Sequence, residues 1–109
     1  MSVKIKVATY QENPMLVISG EIICQESIKI SNALQGYLHS ECTQVILNLN
    51  EVTFIDSYGL GGLIYSKKLF DREGKKLMLL DLGVLIKKIF ERNNLDRAFT
   101  ILNSQEGAQ

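Results

Sequence analysis

Residues 43–50, Thr-Gln-Val-Ile-Leu-Asn-Leu-Asn, carry Val45, Ile46, Leu47 and Leu49 with almost no polar alternation. Successive side chains of a strand point to opposite faces, so a nearly continuous apolar run belongs to a central strand covered on both. Such a strand needs partners on its edges and apolar cover over its faces. The flanking sequence supplies both. Val3, Ile5 and Val7 alternate with Lys4, Lys6 and Ala8, the two-residue period of a half-buried strand. The turn signal Gln-Glu-Asn-Pro at 11–14 leads into Met-Leu-Val-Ile-Ser-Gly at 15–20, which predicts an antiparallel hairpin.

Ile30, Leu34, Tyr37 and Leu38, spaced i, i+4, i+7 and i+8, predict a helix over about 25–39. A second helix follows Asp56 and ends near Asp71, with Gly74 as its stop. Residues 75–82 read as a fourth strand, 83–94 as a third helix with Ile86, Ile89 and Phe90 on one side, and 97–102 as a short last strand. The order is ββαβαβαβ: a small α/β domain with a mixed sheet and three main helices. Strand–helix–strand units require parallel neighbours, and the opening hairpin adds an antiparallel pair. A chain of 109 residues supports one domain, 1–109, with 103–109 read as a flexible polar tail.

Twelve basic residues balance twelve acidic ones. That excludes the excess positive field that nucleic acid or an anionic membrane attracts. No apolar run approaches the ~18 residues of a membrane span, and the alternating N-terminus is no signal peptide. Cys24 and Cys42, without C-x-x-C spacing, read as reduced small hydrophobes of a cytoplasmic protein, and the lone His39 leaves no histidine-rich metal site. No cofactor or metal is expected.

Asp56-Ser57-Tyr58-Gly59-Leu60-Gly61-Gly62 places three glycines in the first turns of a helix, where each costs about 0.5–1 kcal/mol relative to alanine. Asp56 or Ser57 suits the N-cap. Catalysis by Ser57 is poorly supported: there is no G-x-S-x-G elbow, and His39 is the one candidate base. At 100° per residue Leu60, Leu63, Ile64 and Phe70 share the inner side with Lys67; Tyr58, Gly62, Tyr65 and Leu69 face outward, with Gly61 at the edge. Aromatic residues and bare backbone on an outer face suit a docked partner. Ser57 at the positive end of the helix dipole could carry a phosphate without harm to the fold and could even gain from it. The added charge, about −1.5 to −2, would act on whatever sits against that face.

The stretch Leu47–Ile64, with its Asp-Ser-x-Gly-Leu-Gly core, resembles the signature of the anti-sigma factor antagonists, the STAS-domain proteins. Val17–Ile22 resembles their Gly-Glu motif, and Leu77–Ile101 their closing strand–helix–strand. The resemblance implies a single STAS-like domain and a cytoplasmic bacterial regulator with no catalysis of its own. Its partners would be an anti-sigma factor with serine kinase activity, whose capture frees a sigma factor and which phosphorylates Ser57 and so releases the antagonist, and a metal-dependent serine phosphatase that reverses the mark. Asp56 would orient or cap beside Ser57; Gly59, Leu60 and Gly61 would shape the start of the helix; Glu21, Ile22 and Ile23 would lie on the adjoining loop. Partner binding is thus expected from Glu21, Ile22, Ile23, Asp56, Tyr58, Gly59, Gly61, Gly62 and Tyr65. Tyr58 stands where many members have a small residue, and Ile23 where many have an acidic one. A non-switched STAS module of a larger signalling assembly or a lipid transporter is the alternative.

Overall fold

The computed structural model describes residues 3–104. β1 (Lys4–Tyr10) and β2 (Asn13–Ile22) form the hairpin, followed by α1 (Glu26–Gln35), β3 (Gln44–Ile55), α2 (Ser57–Arg72), β4 (Lys76–Leu80), α3 (Val84–Arg92) and β5 (Ile101–Leu102). The five strands lie in the order β1-β2-β3-β4-β5. β1 pairs antiparallel with β2; β2–β3, β3–β4 and β4–β5 are all parallel. The predicted order and the mixed sheet are both found, and β3 is central.

β3 supplies both faces. Val45, Leu47 and Leu49 join the main core with Leu16, Ile18, Leu77 and Leu79 from the neighbouring strands. Onto that face pack Ile30 and Leu34 of α1, Leu60, Leu63 and Phe70 of α2, and Ile86 and Phe90 of α3. Ile46, one residue out of phase, joins Met78 and Leu80 in a smaller cluster on the opposite face. Full burial of a side chain of this size stabilises by about 1.5–3 kcal/mol, so the two faces of β3 anchor the domain.

Several boundaries differ from the sequence reading. β3 runs on to Ile55, beyond the predicted end at 50, because the parallel partner β2 accompanies it to the pair Ile22↔Ile55. Register shifts after Val17 and after Gly20 absorb the extra length of β3. Tertiary pairing overrides the poor strand propensity of Asn50 and Glu51. α1 ends at Gln35 rather than near 39, and the chain turns through residues 36–40. There the Lys75 ammonium donates to the carbonyls of Tyr37 and Ser40, an arrangement that satisfies acceptors no helix bond uses. The last strand is limited to Ile101–Leu102. Of the predicted polar tail, residues 105–109 lie outside the described residues.

The hairpin turn is tighter than the Gln-Glu-Asn-Pro signal suggests. Tyr10 pairs with Asn13, so Gln11 and Glu12 alone form the loop, with φ of 50° and 69°. Two left-handed residues in a two-residue hairpin loop define a type I′ turn, here built without its usual asparagine or glycine.

Candidate functional site

At the top of the sheet the ends of β2 and β3 stand side by side, and α2 starts from them. Asp56 is extended (φ −97°, ψ −175°) and serves as the N-cap, resolving the choice between Asp56 and Ser57. Its Oδ1 accepts from the Gly59 N–H at 2.8 Å. Its Oδ2 accepts from the Cys24 N–H at 3.1 Å, in the loop between β2 and α1. The Asp56 N–H donates in turn to the Ile22 carbonyl at 3.2 Å. Partial burial pushes the Asp56 carboxyl up, but the N–H groups of Gly59 and Cys24, helped by the Cys24 thiol and the Tyr58 N–H, together hold it below the usual carboxylate range. The cap is therefore an anion at neutral pH.

Ser57 opens the helix and is exposed. The helix end beside it is less free than the sequence suggested, since Asp56 already occupies the Gly59 donor. Tyr58 and Tyr65 are exposed, at 69% and 55%, and Gly61 faces open space. These positions match the predicted outward face.

The other two glycines also have contacts within the domain: Gly59 is buried and Gly62 half-buried. A Cβ at Gly59 would lie 2.5 Å from the Ile22 carbonyl oxygen and 2.6 Å from the Ile55 side chain. The first turn of α2 rests directly on the strand ends, and only a residue without a side chain permits it. At Gly62 a Cβ would meet Ser27 and Ser31 of α1 at 3.5 Å, so this glycine faces the neighbouring helix. Ile22 is likewise a core residue with 0% exposure, and Glu21 and Ile22 complete β2 rather than lying on the loop. Only Ile23 of that trio is a loop residue, and it is half-buried. On the inner side Leu60, Leu63 and Phe70 are buried as predicted, with Ser66 among them. Lys67 lies at the margin of the inner stripe, its ammonium 2.8 Å from Asp71 one turn on.

Nothing in the residues around Cys24 places it here. It adopts φ 46°, is exposed, and its thiol lies 3.8 Å from Asp56 Oδ2. It was legible only as a small hydrophobe, because the contact joins residues 32 apart in the chain. Cys24, Gln25, Ser27, Ile28 and Tyr58 line an apolar groove of about 400 Å³ beside Ser57. Ile28 of that groove is 57% exposed; Phe54, paired in register with Glu21, is 40% exposed on its own strand, and neither was singled out from sequence. Among the described residues no cluster of three or more His, Cys, Asp or Glu could hold a metal ion.

The profile of the STAS domain matches residues 4–108. The chain belongs to the STAS domain family. Among STAS relatives, the anti-sigma-B factor antagonist of Listeria monocytogenes is 28% identical over 88 residues, covering 81% of this chain and 77% of that protein. The anti-sigma F factor antagonist of Paenibacillus polymyxa is 21% identical over 112 residues, covering 99% and 93%. A putative anti-sigma factor antagonist from Thermotoga maritima superposes with a TM-score of 0.82 at 19% identity, over 95% of this chain and 90% of that one. Phosphorylated SpoIIAA of Bacillus superposes with a TM-score of 0.70 at 17% identity, over 96% of each chain. At such identities the structural likeness establishes the fold. No helix among the described residues is long and apolar enough to cross a membrane.

Proposed function

We propose that this STAS domain is an anti-sigma factor antagonist without catalytic activity, and that phosphorylation of Ser57 switches its docking face off. The observation that carries the reading is the placement of the Ser57 hydroxyl. It is exposed at the start of α2, next to the Asp56 anion and amid the exposed Tyr58, Gly61 and Tyr65. The names of the Listeria and Paenibacillus relatives support the antagonist role.

The partner is an anti-sigma factor with serine kinase activity, and a metal-dependent serine phosphatase resets the switch. Unmodified, the domain offers an apolar, bare-backboned surface on which the partner packs. A phosphate on Ser57 sets about −1.5 to −2 charges beside Asp56, and a desolvated contact there is disrupted by repulsion and desolvation. Because Ser57 is at the surface, the core beneath is untouched.

Two measurements test this. Protein isolated from its native cell is digested and mapped for phosphate, with Ser57 as the expected site. Ser57→Asp is then compared with wild type for binding to the purified kinase, with circular dichroism as a check on the fold. The expected result is loss of binding with an unchanged spectrum; equal affinity of the aspartate variant refutes the switch.

One observation favours a second reading. The large exposed ring of Tyr58 directly follows the serine, where it crowds an approaching kinase. In a non-switched module of a signalling assembly or a lipid transporter, Ser57→Ala and Ser57→Asp would bind the partner alike.

A further inference from the structure

We propose that Asp56 is a positioning residue that ties the β2–α1 loop to the modification state of Ser57: a phosphate on Ser57 releases Cys24 from the Asp56 carboxylate and frees that loop. The proposal rests on Ser57 as the modified residue and adds a mechanism to it. In the modified protein a P–O bond replaces the O–H bond of Ser57, the phosphoryl group coming from ATP, which leaves as ADP, and the hydroxyl proton passing to solvent.

Three observations converge on the clip. First, one carboxylate serves two distant pieces of chain, with Oδ1 on the Gly59 N–H at 2.8 Å and Oδ2 on the Cys24 N–H at 3.1 Å. Second, Cys24 is held at φ 46°, a conformation that a residue with a side chain adopts only when its surroundings impose it. The bond to Asp56 is a restraint at that residue. Third, Cys24 and Gln25 line the groove near Ser57, whose other members include Tyr58 of α2. Asp56 therefore links a loop wall and a helix wall of the same hollow.

A phosphate on the adjacent residue competes for the N–H groups at the head of α2 and repels the carboxylate from well inside the screening length of about 8 Å. Of the three contacts of the clip, the two from Cys24, its N–H at 3.1 Å and its thiol at 3.8 Å, are the longer, and they alone bridge to a separate element. They break first. Cys24 then leaves its left-handed conformation, and the groove changes shape as well as charge.

The test installs phosphoserine at position 57 of the full chain during translation, so that no kinase is needed. Hydrogen exchange is followed residue by residue by NMR. The expected result is exchange of the Cys24 amide faster by roughly tenfold or more, with Leu63 in the body of α2 unchanged. A Cys24 rate within about twofold of the unmodified protein overturns the proposal. Asp56→Asn keeps an acceptor for Gly59 but removes the charge, so phosphoserine should then shift Cys24 by less than about twofold. A full effect persisting in that variant also overturns it, since the carboxylate would not be the coupler. Binding to the kinase is measured on the same samples. Lost binding with an unmoved Cys24 retains the switch and eliminates the clip; a released Cys24 with undiminished binding supports the clip and eliminates the switch.

Discussion

Gly59 and Gly61 lie two residues apart in α2, and the same substitution at each should change stability in opposite directions. At Gly61 an added methyl meets nothing within 4 Å. Gly61→Ala therefore gains helix propensity and reduces unfolded-state entropy, a stabilisation of about 0.5–1 kcal/mol. At Gly59 the same propensity gain is opposed by contacts of 2.5 Å with the Ile22 carbonyl oxygen and 2.6 and 2.9 Å with the side chains of Ile55 and Ile22. One of those atoms is backbone at the end of β2, so relief requires the helix to lift from the sheet and strain the Asp56 cap. Overpacking of this kind costs about 1–3 kcal/mol, and a backbone clash lies at the top of that range or beyond it. Set against a propensity gain of about 1 kcal/mol, the net expectation for Gly59→Ala is a loss of about 2 kcal/mol. Urea unfolding reads both variants. With a slope near 1.5 kcal/mol/M, the midpoint should fall by more than about 1 M for Gly59→Ala and rise by roughly 0.5 M for Gly61→Ala, at unchanged slope. If Gly59→Ala is as stable as Gly61→Ala, α2 does not rest on the strand ends as described.

Asp56 should make stability depend on pH. Its folded pKa is lowered, so its contribution is present above the ordinary carboxylate pKa and is lost as pH falls through the folded value. Unfolding free energies of wild type and Asp56→Ala from urea titration should thus differ by about 1–2 kcal/mol at neutral pH and converge in acid; a constant gap across that range contradicts the charged cap. In the hairpin, Glu12→Gly matches the type I′ turn at φ 69° and should stabilise by about 0.5–1 kcal/mol after the entropic cost of glycine in the unfolded chain. Calorimetry showing a lower melting temperature would contradict the assigned turn.

What the chain determines locally was readable without coordinates. The apolar run Val45–Leu49 announces a central strand because its side chains must be covered on both faces, and the observed core does so with Ile46 on one side and Val45, Leu47 and Leu49 on the other. The 3.6-residue spacing of Leu60, Leu63 and Phe70 gave the inner face of α2, and an Asp-Ser pair before a glycine-rich turn narrowed the cap to Asp56 or Ser57 and put Ser57 at an exposed helix start. Each of these signals comes from residues within a few positions of one another, where spacing alone sets the geometry.

The tertiary structure decided the rest. Whether a glycine serves as open surface, a seat on the strand ends or a helix contact is invisible in a string of three, because the answer lies with Ile22, Ile55, Ser27 and Ser31 from other elements. The continuation of β3 to Ile55 required β2 beside it, and the importance of Cys24 required a carboxylate 32 residues away. Periodicity dictates which way a side chain points along its own element; which atom it then meets depends on how distant segments are brought together, and that is a property of the packed sheet and helices.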